Sequence, residues 1–183
     1  MNTKTKKLST VSMVLCGMFA ALVAIGAFIQ IPVPYMDYFT LQFFFVLLAG
    51  LILGADKGAI SVGCYVLLGL VGVPIFAAGG GIGYIFRPSF GYLVGFIVSA
   101  YVTGKVCEKL KASYKNYLLA CLAGFVVTYA IGIVYKFIIL NFYAHTPATL
   151  GVIFLSCFPL DFVLCLLAAG VGLRMRKSGF YLS

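Results

Sequence analysis

Charge and catalytic side chains are scarce in this chain. Only 9% of its 183 residues are charged, with four acidic residues and a single histidine, where a soluble domain carries about a quarter. Water is not the solvent this sequence is built for. The scarcity also excludes chemistry: a membrane-embedded hydrolase needs a nucleophile or a metal constellation such as H-E-x-x-H, which one histidine cannot supply. No glycine run is followed by the Lys-Ser/Thr of a phosphate-binding loop, and none has a strand before it and a helix after it, as a dinucleotide fingerprint requires. Cys16, Cys64, Cys107, Cys121, Cys157 and Cys165 lack C-x-x-C spacing and sit inside or at the ends of apolar segments, so they read as small core residues. An internal repeat is missing too, and with it the inverted-repeat signature of many secondary transporters. No enzyme activity, cofactor or metal site is expected.

What is present is apolar length, with 63% of residues hydrophobic. A spanning helix needs roughly 20 apolar residues, so the chain reads as one all-α integral membrane domain over residues 1–183, with six transmembrane helices. Helix one is expected over about 11–31. Lys4, Lys6 and Lys7 before it mimic a signal peptide, but the apolar run exceeds the h-region of about 7–15 residues, so it reads as a retained helix. It stops at Ile31-Pro32-Val33-Pro34, where proline removes donors and favours extended backbone. Helices two and three, about 40–53 and 59–73, are short for a span and imply tilt or partial burial. Gly54 to Gly58 separates them, and Pro74 ends the third. A loop rich in glycine and aromatics covers 74–87. Pro88 suits the first position of helix four, which is expected to run to about 103 and to be followed by a hydrophilic connection over 105–115. Helix five is expected over about 117–141, then a turn with His145 and Pro147. Pro159 is expected to start the regular part of helix six, which ends near Arg174, with 150–158 as a separate outer segment.

Orientation follows from the cations. The N-terminal lysines, Lys57, Lys105, Lys109, Lys111, Lys115, Arg174, Arg176 and Lys177 fall on one side of six spans, which the positive-inside rule makes cytoplasmic. Both termini are then inside, and the chain is a multi-pass protein of the cell membrane, surrounded by membrane lipid. The net charge of +9 is an orientation signal of short clusters between apolar runs, not a nucleic-acid surface. The outer side receives one basic residue, Arg87.

A charge within hydrocarbon is costly and usually faces a cavity or a partner. Asp161 follows Pro159 by two residues, so in the expected first turn of helix six the free N–H groups and the helix dipole would stabilise it. It is either a carboxylate presented to a ligand, or a helix cap or ion-pair partner of Lys136. Lys136, near the outer end of helix five, contacts a ligand, pairs with Asp161 or snorkels outward. Arg87 holds a ligand carboxylate or anchors to headgroups. Thr40 and Gln42 open helix two after the proline turn and can read an amide-like group, or else form a solvated helix start. The lone His145 reads as a surface residue. In the outer loop, Gly79 and Gly80 allow close backbone approach to a ligand, while Phe76 and Tyr84 can cover an apolar ring. A loop with no ligand role is the alternative. On helix one, Ala20-x-x-x-Ala24 permits close helix approach, by a partner helix or inside the bundle.

Several motifs together resemble one family. Phe39-Thr40-Leu41-Gln42, Leu53-Gly54 with Gly58, Tyr65 to Gly69 running into Gly72-Val73-Pro74-Ile75-Phe76-Ala77, the glycine run, and Pro88 to Phe96 are similar in order and spacing to BioY, the biotin transporter family. The resemblance covers nearly the whole chain, most strongly from Pro32 to Phe96. It implies a six-helix substrate-binding S component of an energy-coupling factor (ECF) transporter, which binds biotin as transported ligand on the outer side. It also implies partners: a transmembrane coupling protein, met through the alanine pattern of Ala20 and Ala24, and two ATPase subunits. The family often has a Gly-Asp pair with a Lys three residues after the Asp; here the pair is Leu160-Asp161 and the Lys position holds Leu164. Biotin offers ureido N–H donors, a ureido oxygen that accepts, a thioether ring and a carboxylate. Asp161, Gln42 with Thr40, Phe76 with Tyr84, and Arg87 are the matching groups in turn. Tyr92, Gly79, Gly80 and Lys136 complete the candidate ligand-binding set. Another small vitamin as ligand, or a self-sufficient secondary transporter, are the alternatives.

Overall fold

The structure, a computed structural model, describes the backbone of residues 9–33, 36–143 and 150–179. The N-terminal lysines, Pro34, and the turn with His145 and Pro147 lie outside the described residues. Six long helices dominate: α1 Thr10–Phe28, α2 Gln42–Leu53, α3 Ala55–Val71, α4 Phe90–Lys109, α5 Tyr114–Ile138 and α6 Leu150–Lys177. Among the described residues four stretches are long and apolar enough to cross a membrane: Thr10–Phe28, Phe90–Lys109, Tyr114–Tyr143 and Phe158–Lys177. At 12 residues, α2 is apolar but shorter, and its burial is nearly complete from Val46 to Leu53. Many large apolar side chains elsewhere are exposed, among them Val14, Ile25, Leu67, Val126 and Leu167, as expected of a surface facing lipid rather than water.

Close approach fixes the corner where α2 turns into α3. Gly54, at φ 82°, is the single residue between the two helices, and the left-handed conformation it adopts strains any residue with a Cβ. Glu108 of α4 then serves as a cap in place of a local side chain: its Oε1 accepts from the Ala55 N–H at 2.8 Å, and its other oxygen lies 3.8 Å from Lys105 Nζ. A Cβ on Gly104 would collide with the Ala55 backbone, and one on Gly50 would lie 2.5 Å from the Ala100 carbonyl. Glycine is therefore required where α4 crosses this corner.

Between α1 and α2 the chain forms a hairpin, β1 Gln30–Val33 and β2 Met36–Thr40, pairing Gln30 with Thr40 and Ile31 with Phe39. The prolines announce extended backbone but not its pairing. Pro32 falls where the register is irregular, between Ile31 and Val33, the kind of position at which a missing N–H is tolerated. Helix one accordingly ends at Phe28 rather than 31, and helix two begins at Gln42, leaving Thr40 on a strand.

Other boundaries differ as well. Helix three begins at Ala55, immediately after Gly54, because Glu108 supplies the cap. Helix four begins at Phe90, with Pro88 outside it, and continues to Lys109, so part of the expected hydrophilic connection is its last turn. There Lys109 is favourably placed against the helix dipole. The 74–87 loop contains a 3-10 turn, Ile82–Phe86, and helix five closes in a π-turn, Ile139–Tyr143. The largest correction concerns helix six. It starts at Leu150 and carries Pro159 inside it, so 150–158 is not a separate segment. Asp161 lies roughly three turns from the helix start, and free first-turn N–H groups do not stabilise it. Cys64 is exposed, whereas Cys16, Cys107, Cys121 and Cys165 are buried as expected.

Candidate substrate cavity

Where α2 and α4 begin and α5 ends, the elements enclose a cavity of about 720 Å³ including its open mouth. One wall is β2 and the first turn of α2, with Tyr38, Phe39, Thr40, Gln42 and Phe43. The facing wall is α4, with Ser89, Tyr92, Leu93 and Phe96. These sit at i, i+3, i+4 and i+7, one face of a helix. Ala77 and Tyr84 come from the glycine-rich loop, Thr128 and Lys136 from α5, and Asp161 from α6.

Aromatic packing builds the floor. Phe43 and Phe96 stack at 5.8 Å between centroids, and Phe125 closes on Tyr129 at 4.3 Å. Such offset contacts add to the burial of the rings themselves. Asp161 accepts from the Tyr129 hydroxyl at 2.6 Å, a short charge-assisted geometry that aims the half-buried carboxylate at the cavity. Lys136 is 4% exposed. Its ammonium therefore belongs to the cavity wall rather than to the water at the end of the helix, and the snorkelling alternative does not hold. An acidic and a basic side chain thus border one small space.

The loop is held to this wall by side chains rather than by regular structure. Gln30 Nε2 donates to the Ala77 carbonyl at 2.6 Å and to the Ala27 carbonyl at 3.0 Å. Phe76 and Gly79 exchange backbone hydrogen bonds of 2.8 and 3.1 Å, which Gly79 accommodates at φ 110°. The Gly81 N–H reaches the Gly69 carbonyl at 2.7 Å, and Tyr135 donates its hydroxyl to the Ile85 carbonyl.

Of the candidate ligand residues, Thr40, Gln42, Tyr84, Tyr92, Lys136 and Asp161 converge on the cavity. Phe76, Gly79, Gly80 and Arg87 do not line it. Phe76 is 1% exposed and packs against Tyr84 at 4.6 Å and Tyr65 at 5.5 Å between centroids. It therefore shapes the wall from the rear. Gly80 is required by the loop itself, since a Cβ there would strike the Val73 carbonyl. Arg87 is exposed, with its guanidinium 5.6 Å over the Tyr84 ring. On α1, Ala20 is 8% exposed and packs into the bundle, Ala24 is partly buried, and Gly17 and Ala21 are exposed on the same helix.

Phe43, Leu93, Phe96, Ser89 and Thr128 escaped the sequence reading. An aromatic or a small hydroxyl in an apolar run carries no mark of its own. The spacing Ser89-x-x-Tyr92-Leu93-x-x-Phe96 was the available signal, because it places all four on the face that Tyr92 presents.

A mostly helical, membrane-type bundle with a half-enclosed cavity, lined by rings and a few convergent polar groups at one end, has the anatomy of a small-molecule binding protein. Comparison with known proteins narrows this class. The sequence model of the BioY family matches residues 1–179, and the chain belongs to that family, one of transporters rather than enzymes. It is 40% identical over 94% of its length to the probable biotin transporter BioY of Lysinibacillus sphaericus, covering 90% of that protein. It is likewise 40% identical over 88% of its length to the biotin transporter BioY of Thermotoga maritima, covering 93% of it. In fold it matches a crystal structure of the S-component for biotin from an ECF-type ABC transporter, with a TM-score of 0.78 and 24% identity over 97% of this chain and 95% of the other.

Proposed function

We propose that this chain is the biotin-binding S component of an ECF transporter, capturing biotin outside the cell for ATP-driven uptake by a partner module. The observation that carries the reading is the cavity. Asp161 and Lys136 border it together with Thr40 and Gln42 between aromatic walls, in a chain whose relatives are named biotin transporters. Biotin needs an acceptor for its ureido N–H groups, an apolar wall for its thioether ring and a cation for its carboxylate. Asp161 takes the ureido group, Phe43, Tyr84, Tyr92 and Phe96 flank the rings, and Lys136 takes the carboxylate. Arg87, outside the lining and over Tyr84, attracts the anion at the mouth.

All six helices cross or lie within the membrane, with both termini cytoplasmic. Lys57, Lys105, Lys109, Lys111, Lys115 and the Arg174–Lys177 cluster then share the cytoplasmic end, and the cavity opens at the other. The coupling protein meets the exposed side of α1 at Gly17 and Ala21, beside Ala24, where small residues allow close helix contact. Ala20 faces inward and supports that face rather than forming it.

The reading is tested by titrating purified chain, native and Ala21→Trp, with biotin in the absence of nucleotide, and by co-purifying each with the coupling protein and ATPases. Both are expected to bind biotin saturably, and only the native chain to co-purify with the module. Absence of saturable biotin binding by the folded native chain overturns the ligand assignment. Co-purification of the variant overturns the α1 contact.

A further inference from the structure

A hydrogen-bond chain that begins behind the cavity wall fixes the polarity of two groups within it. Tyr65 of α3, 0% exposed, donates its hydroxyl to the Ile75 carbonyl at 3.1 Å. A carbonyl only accepts, so this bond uses the phenol's single proton. Toward Gln42 the phenol oxygen can then only accept, and Gln42 Nε2 lies 2.5 Å from it. Gln42 must therefore turn its NH2 group to Tyr65 and its amide oxygen the other way, an orientation that only such partners can define. Thr40 Oγ1 is 3.0 Å from that oxygen. Because the amide oxygen only accepts, Thr40 is the donor, and its hydroxyl has lone pairs alone to offer the cavity it lines.

We propose that Tyr65 is a positioning residue for ligand recognition: through Gln42 it sets Thr40 as a hydrogen-bond acceptor, so this part of the wall takes an N–H donor and rejects an acceptor of the same shape. The inference rests on the biotin reading, in which that donor is a ureido N–H. Tyr65 does not line the cavity, and its oxygen reaches the ligand only through two other side chains. The chain also ends on Ile75, one residue from Phe76, so the acceptor at Thr40 and the loop behind Tyr84 are set by the same hydroxyl.

The test compares biotin with its two cyclic-carbamate analogues, each having a ring oxygen in place of one ureido N–H, by calorimetric titration of native, Tyr65→Phe and Thr40→Val protein. The analogues keep the shape of biotin and exchange a donor for an acceptor. Tyr65→Phe keeps the ring 5.5 Å from Phe76 and frees the Gln42 amide and the Thr40 hydroxyl to turn over. Native protein is expected to prefer biotin to one of the analogues by at least about tenfold, the scale set by leaving a buried polar group facing the wrong partner. Tyr65→Phe should lose most of that preference, and so should Thr40→Val, which removes the acceptor while leaving Tyr65 in place. A Tyr65 that only supports the fold would weaken biotin and the analogues alike and leave their ratio unchanged. An unchanged ratio in folded Tyr65→Phe overturns the proposal, and if that variant does not fold, an unchanged ratio in Thr40→Val does. A native chain that binds no biotin overturns the biotin reading itself.

Discussion

The two halves of the α4–α5 seam use glycine for different ends. In the half away from the cavity, Gly124 faces the hydroxyls of Ser99 and Thr103, and a Cβ there would run into Thr103 Oγ1. Ser99 and Thr103 are 0% exposed, and their hydroxyls have no partner among the described residues. Small faces small, and the seam closes solid. In the cavity half two glycines face tyrosines: a Cβ on Gly132 would lie 2.5 Å from the Tyr92 ring, and one on Gly91 would strike Tyr135. Tyr92 lines the cavity, and Tyr135 reaches the loop beside it. Tyr135 holds the loop at Ile85, and Tyr129, 6.0 Å from Tyr92, holds Asp161. One half fastens the helices, and the other positions groups that line the cavity.

Breaking the fastened half has the largest expected effect. Gly124→Leu drives a side chain into the Thr103 and Ser99 hydroxyls and toward Leu47, and overpacking of this kind costs about 1–3 kcal/mol, occasionally more. Folded, monodisperse protein should be largely lost in size-exclusion chromatography, and biotin binding with it. Retention of both would show that the seam is not the fastening element.

Breaking the cavity half should leave the fold and damage recognition. Lys136→Met keeps the apolar stem and removes the ammonium from the wall. Charge-assisted hydrogen bonds contribute about 1.5–3 kcal/mol, so native protein should favour biotin over its neutral amide by at least roughly tenfold, and the variant should not. Equal binding of acid and amide by the native chain would remove the carboxylate role from Lys136. The smallest effect is expected from Thr103→Val, which replaces an unpartnered buried hydroxyl with a methyl of the same shape. Thermal stability should be unchanged or higher by up to ~1 kcal/mol, with biotin affinity unaltered. A clear loss of stability would mean that the hydroxyl is hydrogen-bonded in the membrane-embedded protein.

This division was only partly legible in the sequence. The helices were, because long apolar runs with few charges have no other stable form in lipid, and the sequence also carried the polar set at Thr40, Gln42, Lys136 and Asp161. The hairpin was not, since prolines at 32 and 34 signal a helix stop without revealing a pairing partner. The start of α6 was misjudged because proline normally ends or begins a helix, whereas Pro159 is carried within one. Phe76 and Arg87, expected to meet the ligand, lie outside the cavity lining for a related reason. Spacing places a residue on a loop but does not say which side of the loop faces the cavity. The Tyr65 relay was invisible for a stronger reason: it links three elements through side chains, and no local pattern encodes it.

The most direct test of the account is calorimetric titration of biotin into native and Asp161→Ala protein, both shown to be folded by their elution and thermal melting. The carboxylate that Tyr129 orients at 2.6 Å is assigned the ureido group, and truncating one partner of a buried hydrogen bond costs about 1–3 kcal/mol. The native chain should bind biotin saturably, and Asp161→Ala should bind it at least about tenfold more weakly. Equal affinity in the two proteins would contradict the account and return Asp161 to a purely structural role.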